Sequence, residues 1–511
     1  MSPGISPPTD AAVIDVGSNS VRLVLYRLEG RAIWTTYNEK VLAGLGRDLG
    51  ATGRLSMEGA DAALSALRRF RAVLDAVKPA EVFAVATAAA RDAEDGPEFI
   101  KRVKDEAGLN LRVLTGEEEA RYSALGVVAG APDGEGVVGD LGGASLELTR
   151  LEDGESGDAA TLALGPFGVG FKMGDDPRKL RSTIEARLAD VADRFQAETF
   201  HAVGGAWRNL SLLHMGIADY PLRIVHEYEM TRSEALTAAR VISHLSASSL
   251  SGIPGVSSKR AETLPYAAVV LEALVGQLGL RRILTSAYGL REGLLYEAMA
   301  PGIRAQDPLV AGCAALGGRF ATDAALGPAL EKWLAPVFTA LPSAFGARDA
   351  TLIAAACRLA DLGATLHPDH RATLIFEQVL RAPVAGQTHA ERCFLAVAAF
   401  HRHTAHDDLP EASTIYRIIP DFLRRRARAL GAAIRLGCDL SGRSSALLAK
   451  SRVALEDGKL ILSTEPKWAD MLLGEQTRRR AQALANALNA KLEIKVSLLP
   501  EGEGGAREAG G

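Results

Sequence analysis

The sequence predicts a mixed α/β protein that continues into an all-helical region and ends in a small α+β unit. Strand-like and helix-like segments alternate over roughly the first 300 residues, and one strand–turn–strand pattern occurs twice within them. From about residue 301 to about residue 437, the periodicity becomes almost continuously helical and rich in Ala and Leu. At about 150 residues per domain, a chain of 511 residues corresponds to three or four domains.

The composition excludes several classes of protein. Because 48% of the residues are hydrophobic and 23% are charged, the chain is expected to be soluble and globular, not disordered, collagen-like or a disulfide scaffold. The formal net charge of −4 argues against a general nucleic-acid binder, so any site for a polyanion must be local. The N-terminus lacks a signal-peptide pattern, no apolar run approaches the roughly 18 residues of a membrane span, and the four cysteines show no CxxC spacing. We therefore expect a cytoplasmic protein with reduced thiols, no integral membrane segment and no nucleic-acid partner.

The first half of the α/β region begins with a strand, a tight polar turn and a second strand over residues 11–26. The elements predicted next are a helix over 57–77, a strand over 81–86, a helix over 98–107, a strand over 111–114 and a helix over 117–128. The last helix starts with three carboxylates, which the helix dipole favours at that end.

The second half repeats the strand–turn–strand pattern over residues 136–148. The segments expected after it are helices within 179–196, a glycine-containing segment at 201–209, a helix over 261–278 and a mixed segment at 283–296. Near the C-terminus, alternation around Asp457-Gly458 predicts a hairpin over 451–464, followed by a helix over 475–488 and a strand over 492–498. The Gly- and Glu-rich tail after Pro500 is expected to be disordered, because it has too little apolar content to pack.

Two turns rich in glycine and hydroxyl side chains follow the repeated strands, with the sequences DVGSNS and DLGGAS. Such a turn presents several backbone N–H groups to one point, which suits phosphate oxygens, although a single glycine turn is also an ordinary hairpin connector. The two copies lie about 125 residues apart. This repetition predicts two related half-domains that face each other across a phosphate-binding cleft.

Several carboxylates near these turns are candidates for metal binding and proton transfer. Asp15 and Asp140 end apolar strands, where an unpaired carboxylate is costly, so a cation or hydrogen-bond donors should face them. Mg²⁺ prefers one or two carboxylates together with water and phosphate, and Asp140 with Glu147 could supply them. The alternative for Glu147 is a solvent-facing strand carboxylate.

The acids at residues 117–119 could include a general base, while at least two of them need only be first-turn acids that stabilise the helix dipole. Arg91 and Arg22 could donate charge-assisted hydrogen bonds to phosphate, or they could form surface ion pairs.

Six ordered motifs together resemble the exopolyphosphatase and guanosine pentaphosphate phosphohydrolase family. They are DVGSNSVRL, ATAAAR, TGEEEARYSALGV, GDLGGASLEL, AVGGAWRNL and SAYGLREGLLY, and they span about 290 residues. The resemblance implies two duplicated ribonuclease-H-like domains of the actin, sugar-kinase and heat-shock ATPase superfamily, an HD-like helical domain and a small α+β domain, as in the long family members. The implied boundaries are 1–130, 131–302, 303–440 and 441–500, with a tail at 501–511.

The resemblance also implies roles for individual residues. Glu119 matches the catalytic glutamate, and Asp140 and Glu147 match acids that hold the metal. The phosphate-binding positions implied are Asp15, Gly17, Ser18, Asn19, Ser20, Arg91, Gly142, Gly143, Ser145, Gly204 and Gly205. For the last two glycines, close strand packing is an equally good explanation.

The sequence departs from the family pattern in two places. Ala144 and Leu146 stand where the second turn commonly has a third Gly and a Thr, so one hydroxyl ligand is absent. In the HD-like region Ala360 stands in place of the His of the His-Asp pair, which argues against a second metal centre there, although further histidines remain at positions 370, 389, 401 and 403.

The resemblance implies a Mg²⁺-dependent exopolyphosphatase that removes terminal orthophosphate processively from inorganic polyphosphate. Arginine runs at residues 424–428 and 478–480 could form a local basic track for the chain, or they could be solvated helix faces. The alternatives are a guanosine pentaphosphate 5′-phosphohydrolase and a sensor or scaffold that only binds polyphosphate or nucleotide. A homodimer is expected from the long family members, and no motif indicates whether a monovalent cation is required.

Overall fold

The computed structural model describes residues 8–172, 174–252, 261, 263–319 and 321–497. Its main features are two large β-sheets and a helical region. The strands are β1 Thr9–Val16, β2 Val21–Glu29, β3 Ala32–Val41, β4 Glu81–Ala86, β5 Arg112–Val113, β6 Gly136–Leu141, β7 Leu146–Glu152, β8 Glu155–Leu162, β9 Thr199–Val203, β10 Tyr228–Thr231, β11 Arg282–Thr285, β12 Ser451–Glu456, β13 Lys459–Thr464 and β14 Lys491–Val496.

The two larger sheets share one topology. The first has the strand order β3-β2-β1-β4-β5, and the second has the order β10-β11-β9-β6-β7-β8. In each sheet an antiparallel three-stranded meander is extended by parallel strands, β4 beside β1 and β9 beside β6. The predicted duplication is therefore confirmed, and the mixed α/β fold class with it.

The α-helices among the described residues surround these sheets and then form the helical region. Their bounds are Leu49–Thr52, Met57–Val77, Ala88–Asp92, Gly96–Ala107, Gly116–Gly130, Pro177–Ala189, Gly205–Ile217, Arg232–Ser243, Ala247–Ser251, Leu264–Gln277, Leu290–Ala298, Pro301–Arg304, Pro308–Gly318, Leu326–Phe338, Asp349–Arg358, Pro368–Arg381, His389–His403, Ala412–Ile418, Asp421–Ser441, Ser445–Leu448, Pro466–Leu472 and Glu475–Ala487. Short 3₁₀ turns cover Ala192–Phe195 and Gly346–Arg348. The helices expected within 179–196 are therefore an α-helix that ends at Ala189 and the 3₁₀ turn Ala192–Phe195.

The central strand of the first sheet is buried on both faces. Ala12 and Ile14 pack into the core on one side of β1, and Ala11 and Val13 pack on the other. This explains why the strand reads as a continuous apolar run that does not alternate with polar residues. The run stops at Asp15, where the strand reaches the glycine turn.

The described chain divides into two units, which we describe separately. The first comprises the two α/β halves, residues 8–308, together with 385–388, and the second comprises 309–384 and 389–497. The second unit contains most of the helices after residue 308 and the three-stranded sheet β12-β13-β14. The predicted hairpin is confirmed there, whereas the predicted disordered tail lies outside the described residues.

Two further observations concern membrane-spanning helices and the cysteines of the described chain. No helix within it is long and apolar enough to cross a membrane. All four cysteines are buried and form no disulfide.

Candidate active site

The two glycine turns have the same backbone geometry and lie beside each other. Gly17 N–H donates to the Ser20 carbonyl at 3.0 Å, and Gly142 N–H donates to the Ser145 carbonyl at 2.9 Å. A Cβ added to Gly143 would lie 3.1 Å from the Ser18 Cβ, so the two turns approach closely. The structure thus brings together the two turns that the sequence singled out, one from each α/β half.

The registers of the two hairpins place different partners beside the two aspartates. Asp15 is directly opposite Arg22, and Asp140 is directly opposite Glu147. Directly opposite residues of an antiparallel pair share one face of the sheet, so the first half places a cation beside its aspartate and the second half places another carboxylate. Asp15 also forms a 2.8 Å ion pair with Arg291, so its charge is already compensated within the protein.

Asp140 is enclosed by groups that orient its carboxylate. The Ser123 hydroxyl donates to Asp140 Oδ2. Gly204 has φ 109°, and a Cβ at this position would lie 2.9 Å from Asp140 Oδ1, so only glycine lets the carboxylate approach this backbone. Gly205 differs, because nothing lies within 4 Å of a Cβ built there. The close packing that we expected as one explanation for these glycines therefore applies to Gly204 alone.

The three consecutive acids of the helix Gly116–Gly130 have three different environments. Thr115 caps the helix by accepting from the Glu118 N–H, and the Glu118 side chain accepts from the Thr115 N–H in return. Glu117 is exposed. Glu119 is buried, and its Oε2 accepts a hydrogen bond of 3.0 Å from Arg91 Nη1. Glu119 is thus the one member of the triplet that is directed into the protein.

Glu119 shares its buried surroundings with the acids of the second hairpin. The pKa of Glu119 is raised to about 7, chiefly by burial and also by the negative charges of Asp140 and Asp15, while the charge of Arg91 opposes the rise. Burial also raises the pKa of Glu147 well above its usual range, and Glu119 and Asp140 add to that rise. The Ser145 hydroxyl partly offsets the rise, although neither Glu147 oxygen has a partner with good hydrogen-bond geometry among the described residues.

The arrangement of these carboxylates fits a divalent cation held in part by water and substrate. Both oxygens of Glu147 are buried without a partner among the described residues, and Asp140 lies directly opposite, so a cation would relieve their desolvation and mutual repulsion. The described residues contain no group of three or more His, Cys, Asp or Glu side chains that could hold a metal by themselves. The facing carboxylates of Asp140 and Glu147 could therefore contribute two ligands to a metal site that water and substrate oxygens complete.

A cavity of about 410 Å³ opens beside Arg91 and is lined by both α/β halves. Arg91 and Ser145 supply polar groups to it, while Leu49 and Phe167 supply apolar surface. Phe167 is attached to the second turn, because its N–H donates to the Gly143 carbonyl at 2.8 Å. The cavity therefore has both a cationic side chain for an anionic group and apolar surface for an apolar group.

Three residues near the acids were not identified as site residues from the sequence. Arg291 pairs with Asp15, Arg208 interacts electrostatically with Asp140, and Ser123 hydrogen-bonds Asp140. Each lies in a motif that carried the resemblance, GLREGLL, AVGGAWRNL or EEEARYSALG. Their positions in those motifs were the only hint in the sequence that they belong to the site. Their partners are more than 15 residues away in sequence, so the pairings themselves could not be predicted. Arg22, by contrast, donates to Asn38 at 2.8 Å.

Some arginines of the two runs in the second unit form ion pairs with nearby acids. Arg424 and Arg425 both pair with Asp421, and Arg428 pairs with Asp407. Arg480 pairs with Asp439 at 2.8 Å. Arg425 is 70% exposed, as on a solvated helix face, whereas Arg480 is 19% exposed.

Comparisons with known proteins agree with the fold and with the motifs. The model of the Ppx/GppA phosphatase family matches residues 24–301, and the model described as exopolyphosphatase, C-terminal, matches residues 319–495. Exopolyphosphatase 1 of Mycobacterium tuberculosis is 29% identical over 297 residues, which cover 55% of this chain and 86% of that protein. Exopolyphosphatase 1 of Mycobacterium leprae is 28% identical, over 55% of this chain and 87% of that protein.

Solved structures show the same relationship. The crystal structure of the Aquifex aeolicus member of the Ppx/GppA family is 26% identical and has a TM-score of 0.50, covering 57% of this chain and 97% of that chain. An exopolyphosphatase from Cytophaga hutchinsonii shares the fold at 22% identity with a TM-score of 0.53, over 57% of this chain and 97% of that one. Since the family model alone matches more than half of the sequence, the chain belongs to the Ppx/GppA phosphatase family.

Proposed function

We propose that the protein is a Mg²⁺-dependent exopolyphosphatase that hydrolyses the terminal phosphoanhydride bond of inorganic polyphosphate and releases orthophosphate. Its Mycobacterium relatives carry the name exopolyphosphatase. The observation that carries the proposal is the convergence of Glu119, Asp140 and Glu147 beside Arg91 and two adjacent glycine turns. This arrangement combines acids for a metal and for water with donors for phosphate oxygens.

The glycine turns would bind the terminal phosphates of the chain. The backbone N–H groups of residues 17–20 and 142–145 and the hydroxyls of Ser18 and Ser145 are the donors expected to contact phosphate oxygens. Arg91 would add a charge-assisted hydrogen bond from its guanidinium. Because Asp15 is paired with Arg291, it would orient the first turn and would not contact phosphate directly.

Asp140 and Glu147 are the residues that would hold Mg²⁺. When bound, the ion would neutralise negative charge on the phosphoryl oxygens. Ser123 keeps the Asp140 carboxylate oriented, and Gly204 leaves room for it. Among the residues that the structure describes, Glu147 is left with both oxygens available for a ligand.

Glu119 would accept the proton of the attacking water. Its carboxylate is held by Arg91 at 3.0 Å and lies among groups that keep its proton affinity above that of an ordinary glutamate. Water would attack the terminal phosphorus in line, the bond to the bridging oxygen would break, and the shortened chain would leave with that oxygen. A carboxylate with a pKa near 7 is suited to take up and return a proton at neutral pH.

The experiment that tests the proposal is orthophosphate release from long-chain polyphosphate and from guanosine pentaphosphate, measured in parallel with Mg²⁺. Glu119→Gln should reduce turnover of the preferred substrate by about 10²–10⁴-fold, the usual contribution of a general base. The matched control is Glu117→Gln, which changes an exposed acid two residues earlier on the same helix and should retain activity. Equal loss in both variants, or none in Glu119→Gln, would show that Glu119 is not the base.

A second candidate substrate is guanosine pentaphosphate. The cavity beside Arg91 has apolar surface from Leu49 and Phe167, which a nucleobase could cover and a polyphosphate chain could not use. Faster release from the nucleotide in the same assay would assign the protein to alarmone turnover. Release from neither substrate would favour a sensor or scaffold that binds without hydrolysis.

Further proposals concern the whole protein. We propose four domains with boundaries near residues 130, 302 and 440, with the two later domains retaining the polyphosphate chain between successive cuts. We also propose a homodimer in the cytoplasm, and the buried cysteines without disulfides agree with a reducing compartment. Light scattering over a dilution series tests the dimer, and a monomer at every concentration would contradict it.

A further inference from the structure

The guanidinium of Arg91 already has partners along both of its edges. Nη1 donates to Glu119 Oε2 at 3.0 Å and to the Leu114 carbonyl at 3.2 Å. On the edge formed by Nε and Nη2, Nε donates to Asp92 Oδ1 at 2.8 Å and Nη2 donates to Asp92 Oδ2 at 3.4 Å. The carboxylate of Asp92 therefore covers the edge through which an arginine binds two oxygens of a phosphate.

The two acids that hold Arg91 differ in their access to water. The Glu119 side chain is 11% exposed and that of Asp92 is 49% exposed. Removing Arg91 from Glu119 would leave a buried carboxylate without its donor, which is costly. Asp92 can exchange the guanidinium for water at little cost, because ion pairs at exposed side chains contribute little to stability. Asp92 is therefore the partner of Arg91 that a ligand can displace.

Asp92 also lines the cavity in which a ligand would meet Arg91. Among the described residues that line this cavity, Arg91 and Asp92 are the charged ones, and Ser145 joins them from the second glycine turn. An anion that enters the cavity thus finds the Nε–Nη2 edge of Arg91 occupied and a negative charge beside it. Asp92 opposes anion binding in both of these ways.

We propose that Asp92 is an internal competitor for Arg91 that limits the affinity of the site for phosphate. A bound phosphate takes the Nε–Nη2 edge of Arg91, the Asp92 carboxylate moves into water, and its return to Arg91 favours the release of orthophosphate. Glu119 and the Leu114 carbonyl keep Arg91 in place during this exchange. The inference rests on the proposed function, because it takes Arg91 as a phosphate ligand, and it adds the residue that weakens that contact.

Equilibrium binding of inorganic orthophosphate, measured by titration calorimetry in Mg²⁺, tests the proposal without any turnover. Asp92→Asn keeps the size of the side chain and removes its charge, so it should lower the dissociation constant by about fivefold. This factor corresponds to about 1 kcal/mol, the upper end for an exposed ion pair. A variant that merely disturbs the site would bind more weakly, so tighter binding separates competition from a structural role.

Asp105→Asn is the matched control for the change in net charge. Asp105 is 53% exposed and pairs with Lys101 on the helix Gly96–Ala107. Its replacement removes one negative charge from the same half of the protein and should leave phosphate binding unchanged.

A double-mutant cycle tests whether Asp92 acts through Arg91. Lysine keeps the positive charge but lacks the planar fork that Asp92 holds, so Asp92→Asn should change the dissociation constant by less than about twofold in the Arg91→Lys background. In otherwise wild-type protein, Asp92→Asn should lower the KM for long-chain polyphosphate by a similar fivefold factor of about 1 kcal/mol and leave kcat unchanged, as for a change in uniform binding.

Several results would overturn the proposal. They are unchanged or weaker phosphate binding in Asp92→Asn, an equal gain in Asp105→Asn, a full gain that persists with Arg91→Lys, or no phosphate binding by wild type and Asp92→Asn alike. Failure of the proposed function looks different. In that case neither polyphosphate nor guanosine pentaphosphate is hydrolysed, while orthophosphate still binds more tightly to Asp92→Asn than to wild type.

Discussion

At the scale of single residues, one difference between the two repeated hairpins determines which carboxylates are available to a ligand. The position opposite the strand-end aspartate is Arg22 in the first hairpin and Glu147 in the second. Asp15 is compensated by Arg291, while Glu147 has no hydrogen-bond partner among the described residues. Both halves of the duplicated backbone therefore have a glycine turn that suits phosphate oxygens. Only the second half has two facing acids that could bind a cation.

Glu147→Gln should stabilise the metal-free protein and reduce its activity. Burial, Glu119 and Asp140 raise the pKa of Glu147, so the native state disfavours its charge. This carboxyl contributes stability that is present at acid pH and is lost as the pH rises. In EDTA the variant should be more stable than wild type at pH 8–9, because its amide cannot ionise, and the difference should shrink at pH 5, where the native carboxyl is protonated more fully.

Denaturant unfolding at the two pH values checks the stability gain, and Mg²⁺-dependent orthophosphate release checks the activity. Mg²⁺ should raise the unfolding midpoint of wild type and leave that of Glu147→Gln unchanged. A variant that is less stable than wild type in EDTA at high pH would show that the carboxylate is satisfied in the native protein.

At the scale of elements, glycines allow the helix that carries Glu119 to contact the helix Leu290–Ala298 at backbone distance. A Cβ at Gly293 would lie 1.9 Å from the Tyr122 carbonyl oxygen, and one at Gly126 would lie 2.1 Å from the Gly289 carbonyl oxygen. The first helix supplies Glu119 and Ser123, and the second supplies Arg291. The close crossing thus sets the positions of side chains that surround both strand-end aspartates.

Gly293→Ala should lower the unfolding free energy of the protein and its activity together. The added methyl group cannot be accommodated without separating the helices, which costs about 1–3 kcal/mol for overpacking. Gly302→Ala is the control, because nothing lies within 4 Å of a Cβ at that helical position and alanine has the better helix propensity. Chemical denaturation measures both variants, and equal stability of the two would show that the crossing can relax.

At the scale of the whole molecule, buried histidines in both units make stability depend on pH. Burial lowers the pKa of His201 in the first unit to about 4, and it lowers the pKa of His401 in the second unit to about 4. His201 hydrogen-bonds the Glu135 carbonyl through Nε2 at 3.1 Å, so its native form is the neutral ring protonated on Nε2. The unfolded chain protonates such rings below about pH 6.5, and the native state does not.

The free energy of unfolding should therefore fall as the pH decreases from about 6.5 to 4. The sign follows because the unfolded state binds more protons in this window, and each ring contributes on the order of 3 kcal/mol over the full range. His201→Gln and His401→Gln should each flatten the dependence relative to wild type, after allowance for their lower stability at pH 8. Exposed His367→Gln is the control and should leave the slope unchanged. An identical slope in all four proteins would contradict the prediction.

Much of the fold could be predicted because apolar patterning is a local signal. The helix Met57–Val77 and the strand Glu81–Ala86 have the bounds that their periodicity indicated. Strands β3 and β8 were not predicted, since their exposed polar residues do not form the apolar run of a central strand. Sheet neighbours stabilise these segments as strands, and that information is absent from their own sequence.

The sequence by itself determined the duplicated α/β architecture, the two glycine turns and the family, because all three depend on residue order within short motifs. Only the tertiary structure decided which of the three acids at 117–119 is buried, that Asp15 pairs with Arg291, and that Glu147 remains without a partner among the described residues. The physical reason is that burial and charge compensation are set by groups that are close in space and distant in sequence. The same reason applies in the second unit, where Asp361 interacts with Arg402 and Arg443, which come from two other segments of the chain.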